Sequence, residues 1–96
     1  MGQLITLLEV IQKLDSFDAE STIYAAKPWT RDAKAMIAME PVTGGLPAAV
    51  AAAGLQYFLE VFISRDVLEG WATNLKKPPT SEEKCERLIQ YAVNDA

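Results

Sequence analysis

The run Gln56-Tyr57-Phe58-Leu59-Glu60-Val61-Phe62-Ile63 constrains the fold more than any other part of the chain. It is aromatic and β-branched, and it holds neither glycine nor proline, so it reads as a strand. Side chains alternate with period two along a strand. That puts Tyr57, Leu59, Val61 and Ile63 on one wholly apolar face, which is expected to meet the helices. Phe58, Glu60 and Phe62 share the other face, where Glu60 interrupts the apolar pattern.

The rest of the chain supplies two further strands and four helices. Residues 3–14 read as a helix, with Leu4, Leu7, Leu8, Ile11 and Leu14 on one stripe. Ile5 and Val10 widen that stripe, which implies deep burial or a role in an oligomer. Ser21 to Ala26 is β-like, and Ala33 to Glu40 is a second apolar run. Between them, Lys27-Pro28-Trp29-Thr30-Arg31-Asp32 breaks the pattern, because Pro28 cannot donate to a ladder. Pro41-Val42-Thr43-Gly44-Gly45 is a turn. A short helix opens at Leu46-Pro47 and ends before Gly54. Ser64 is the expected cap of the next helix, with Ile63 and Leu68 as a hydrophobic staple. Its apolar face is Val67, Leu68, Trp71 and Leu75, and Lys76-Lys77 and Pro78-Pro79 end it. Thr80 and Glu83 form a capping box for a last helix, whose inward face is Cys85, Leu88, Ile89, Ala92 and Val93. The expectation is one α+β domain over residues 1–96, in the order α-β-β-α-β-α-α. Its three-stranded sheet carries helices mainly on one face. Strands one and two form an antiparallel hairpin. The third may run either way, since a right-handed parallel crossover and an antiparallel return both fit.

Composition excludes several function classes. The chain has 96 residues, no histidine and one cysteine, so the usual near-neutral proton carrier and a thiolate zinc site are both missing. Nine Lys and Arg against thirteen Asp and Glu give a net charge of −4, without the basic footprint of a nucleic-acid binder. No apolar run reaches bilayer length, and no basic segment precedes the first one. A cytoplasmic protein without membrane association is therefore expected. Met1 to Thr6 matches an N-myristoylation pattern, which short sequences often match by chance.

The candidate surface is the Phe58, Glu60 and Phe62 face. Left open, it would serve self-association or partner capture; covered by a helix, it would leave Glu60 at a rim. Trp29, with Arg31 and Asp32, is either an interaction anchor or a ring folded back over a core edge. Asp66 and Glu69, like Glu82, Glu83 and Glu86, sit at helix starts, where carboxylates complement the dipole. Cys85 reads as a buried, inert thiol. Gly44-Gly45 lacks the Lys-Ser/Thr of a phosphate loop. Three functional classes follow. The first is a non-enzymatic interaction protein, a homodimer or the binder of a basic protein partner. The second is a small-molecule binder or enzyme with a site at a subunit interface around Glu60, Tyr57, Arg65 and Asp66. The third is a nucleic-acid binder using Lys27, Arg31, Lys34 and Trp29, which the net charge opposes. The residues suggest no catalytic set, no cofactor and no metal.

Tyr24 with Pro28-Trp29-Thr30, Gly54-Leu55 with Tyr57, Asp66-Val67-Leu68, and Tyr91-Ala92 with Asn94-Asp95-Ala96 together carry a resemblance. Across most of its length the chain resembles a family of small uncharacterised bacterial proteins, a domain of unknown function met in mobile gene cassettes and beside toxin–immunity loci. The resemblance implies a standalone cytoplasmic accessory or immunity-like protein and supplies no catalytic residues. In that family an acidic stretch follows the second strand; here Pro41 to Gly45 stands in its place.

Overall fold

The computed structural model describes residues 4–95. The expected helix start at residue 3, the Gly2 pattern and Ala96 lie outside them. In chain order the elements are β1 (Ile5–Thr6), α1 (Leu7–Gln12), a 3-10 turn (Leu14–Ser16), β2 (Thr22–Ala25), β3 (Lys34–Ala38), α2 (Ala48–Ala52), β4 (Gln56–Glu60), α3 (Val61–Ala72) and α4 (Ser81–Asp95). The α+β class holds, but the sheet has four strands, in the order β1-β3-β2-β4. Every described pairing is antiparallel, including β2 with β4, so the chain returns to the sheet without a parallel crossover.

The extra strand is cut from the start of the expected first helix. Thr6 caps α1 through a capping box: the Glu9 amide donates to Thr6 Oγ1, and the Thr6 amide donates to the Glu9 carboxylate. The cap holds Thr6 in extended backbone, which frees Ile5 and Thr6 to pair with Ala35 and Lys34. The second expected capping box is present as read, with Thr80 and Glu83 exchanging both bonds at the start of α4.

Apolar side chains from α1, α3 and α4 cover one face of the sheet. Leu7, Val10, Val61, Leu68, Cys85 and Leu88 pack there against Ile23, Ala25 and Ala35. A second, smaller cluster lies on the opposite face, where Val50 of α2 and Leu55 meet Tyr24 and Met36. Gly54, at φ +74°, turns the chain out of α2 and into β4, a conformation that glycine adopts without strain.

The eight-residue strand expected at the outset is only half strand. β4 ends at Glu60, and Val61, Phe62 and Ile63 form the first turn of α3. The first amides of that helix are satisfied across the sheet rather than by a Ser64 cap: Val61 N donates to the Ser21 carbonyl and Phe62 N to the Ala19 carbonyl. Ser64 lies inside the helix, fully buried, and its hydroxyl donates to the Glu60 carbonyl at 3.0 Å. The expected Ser64 cap, and the staple around it, are therefore replaced by a helix that begins four residues earlier.

Phe58 is 1% exposed and belongs to the main core, so it is not part of an open face. Its ring meets Trp29 edge to face, with centroids 5.0 Å apart and planes at 87°. Burying such a ring stabilises by about 2–3 kcal/mol, and an aromatic pair adds roughly 0.5–1.5 kcal/mol. Phe58→Ala is expected to cost about 3–5 kcal/mol of folding free energy in urea titration. Phe62→Ala, at a ring 48% exposed on α3, is expected to cost far less.

Candidate functional site

A register shift in β4 decides which of its side chains reach solvent. Ile23 is opposite Leu59 and Tyr24 is opposite Tyr57, so Phe58 is an extra residue in a β-bulge. The bulge lets both Phe58 and Leu59 enter the main core. It also puts Tyr57 and Glu60, three positions apart, on the same side of the sheet, because their partners Tyr24 and Thr22, two positions apart in an unbroken β2, share a face. The face expected to carry Phe58, Glu60 and Phe62 therefore carries Tyr57 and Glu60. Of the expected trio only Glu60 is on it.

Two rows of residues cross the strands on that face. Met36, Tyr24 and Tyr57 form one, and Ala38, Thr22 and Glu60 form the next. Tyr24 is buried. Tyr57 is 45% exposed. Glu60 is half-buried, and Glu40, just past β3, is exposed. Burial raises the phenol pKa of both tyrosines, and the Glu40 and Glu60 carboxylates raise it further. The result is a half-covered sheet face on which one tyrosine ring stands in the field of two carboxylates.

The other candidate residues lie elsewhere. Arg65 serves the fold: it donates to the Leu14 carbonyl at 2.9 Å and to the Phe17 carbonyl, closing the chain after the 3-10 turn. Its ion pair with the fully exposed Asp15, at 3.8 Å, adds little. Asp66 is exposed on α3. The expected grouping of Glu60, Tyr57, Arg65 and Asp66 thus reduces to Tyr57 and Glu60. Trp29 folds back over the core edge. Its indole N–H donates to the Ala25 carbonyl at 3.2 Å, and Lys27 Nζ sits 5.0 Å from its ring centre. Arg31 is exposed and pairs loosely with Glu86 of α4 at 3.7 Å.

Two open grooves flank these elements. One, of about 610 Å³, runs between Lys27, Pro28 and Trp29 and the exposed Val93. The other, of about 360 Å³, lies where Trp71 meets Glu82, Glu86 and Arg87. Among the described residues no group of three or more His, Cys, Asp or Glu could hold a metal ion. Likewise, no described helix is long and apolar enough to cross a membrane. Cys85 is fully buried, and burial pushes its thiol up to about 11. Comparison of the chain with family models, with curated proteins and with solved structures gives no match.

Sequence reasoning named Glu60 and Tyr57 but missed their shared face and the role of Glu40. Strict alternation separates residues three apart, and nothing in a single sequence marks the bulge that brings them together.

Two stability predictions follow from these contacts. Arg65→Met removes the donor from two carbonyls and is expected to cost about 1–3 kcal/mol, read by urea titration, whereas Glu60→Gln is expected to be near neutral. Below pH 9 the Cys85 thiol is protonated in both folded and unfolded chains. Between pH 9 and about 11 only the unfolded chain releases its proton, so stability falls as pH rises. The loss is expected to be on the order of 2–3 kcal/mol, and the Cys85→Ala variant should lack that component of the pH profile.

Proposed function

We propose that this chain is a small non-enzymatic interaction protein that holds another protein on the exposed part of its second sheet face. The observation that carries the reading is Tyr57: a large ring, nearly half exposed, on the outer strand of the sheet and on the face that also carries Glu60. Tyrosine contributes a broad apolar contact and a polar tip with few rotamers to freeze, which is why it is enriched at protein interfaces. The half-buried position of Glu60 at the rim of this face supports recognition over proton transfer, because a carboxylate tuned for catalysis is normally withdrawn from water. An immunity-like role in the cytoplasm, as the sequence resemblance implies, is compatible with such a surface.

The test is calorimetric titration of the chain with the purified product of the reading frame adjacent to its gene. A complex is expected at micromolar concentration or below. Tyr57→Ala, shown by circular dichroism to remain folded, is expected to weaken it at least about tenfold, in line with an interface anchor. A complex indifferent to Tyr57→Ala, or no complex at micromolar concentration, overturns the reading.

A further inference from the structure

We infer that the partner bound at this face presents a lysine or arginine side chain, which sits against the Tyr57 ring between Glu40 and Glu60. The inference rests on the binding role proposed for the face and names the chemistry of its occupant. Three observations carry it. The Tyr57 ring is 45% exposed on β4, the outer strand of the sheet, on the face that also carries Glu60. Glu60 stands on the same face as Tyr57 by register, and the exposed Glu40 lies two positions past Ala38, whose row holds Glu60. Among the described residues the ion pairs engage Arg31 with Glu86 and Arg65 with Asp15, and neither neutralises these two carboxylates. A cation held against a tyrosine ring gains from the ring quadrupole, and flanking carboxylates add Coulombic attraction and steer the approach.

Charge also selects between occupants. The chain carries a net charge of −4. A second copy docked face to face would bring two pairs of carboxylates together, a like-charge contact that acts against association. A basic protein surface meets no such opposition. The acidic start of α4, with Glu82, Glu83 and Glu86, is the competing anionic surface. Two of its carboxylates are already engaged, Glu83 in the Thr80 capping box and Glu86 with Arg31.

The test uses the whole chain, isotopically labelled, and two synthetic octapeptides, alternating Arg-Gly and alternating Glu-Gly. The arginine peptide is expected to shift the amide resonances of Thr22, Glu40, Tyr57 and Glu60, and to bind several-fold more weakly when salt rises from about 50 to 200 mM. The Glu-Gly peptide is expected to leave the spectrum unchanged. The double variant Glu40→Gln, Glu60→Gln should weaken binding of the arginine peptide about tenfold. Glu82→Gln with Glu86→Gln should leave it unchanged. Shifts centred on the start of α4, an unchanged affinity in the Glu40, Glu60 variant, or a wild-type dimer by light scattering that Tyr57→Ala dissociates would overturn the inference. The two proposals fail separately. If the protein partner is lost on Tyr57→Ala yet binds the Glu40, Glu60 double variant as tightly as wild type, the cation is wrong and the binding face stands. If Tyr57→Ala leaves the partner bound, the face itself is wrong.

Discussion

The single extra residue in β4 is the constraint on which the rest of the structure depends. Without the bulge, Phe58 and Leu59 would lie on opposite faces of the sheet, and one of them would leave the core. With it, both are buried and Phe58 reaches the edge of the Trp29 ring. Trp29 in turn ties the β2–β3 loop to the Ala25 carbonyl. One irregularity therefore fills the core, fixes a loop, and turns Tyr57 and Glu60 to the opposite side. Stability and the candidate surface have a common cause, and a change that removed the bulge would disturb both.

The helices are held to this sheet by contacts from outside their own spans. The first amides of α3 find carbonyls at Ser21 and Ala19, which continues the β2–β4 ladder into the helix. This explains how a helix can start directly after a strand with no side-chain cap. Unsatisfied amides at a helix start need acceptors, and backbone carbonyls of a neighbouring segment serve as well as a serine. Arg65, one turn further on, anchors the Leu14 and Phe17 carbonyls at the two ends of the 3-10 turn, so α3 is fixed at its start to both the sheet and the segment after α1.

The balance between what was legible in the sequence and what was not follows from the range of the interactions. Local chemistry was legible. The capping box at Thr80, the helix stop at Gly54 and the β2–β3 hairpin each rest on residues close together in the chain. The capping signature Thr6-x-x-Glu9 was also present, but the longer leucine stripe outweighed it, and the expected helix absorbed what is a two-residue strand. The boundary at Glu60 was hidden for a different reason. Val61, Phe62 and Ile63 have strong strand preference, and only the carbonyls of Ala19 and Ser21, some forty residues away, make a helical start satisfactory there. The bulge is likewise a property of the β2–β4 pairing, and pairing is not written in either strand alone.

The second sheet face differs from the first in what covers it, and that difference bears on function. Three helices cover the first, and its side chains are almost all apolar. One short helix covers part of the second, where the smaller cluster of Tyr24, Met36, Val50 and Leu55 reaches Ala38 of the next row, while Tyr57 and Glu60 on the outer strand β4 stay partly in water. A tyrosine pair suits that boundary. Tyr24 sits inside the sheet, between β3 and β4, and is buried, while Tyr57, on the outer strand, keeps its ring partly in water. Because Tyr57 stands on a strand paired to β2, its ring is placed before any partner arrives. A preorganised ring loses little entropy on contact, so a modest area can still bind with selectivity. The neighbouring carboxylates then decide which surfaces it accepts and which it repels.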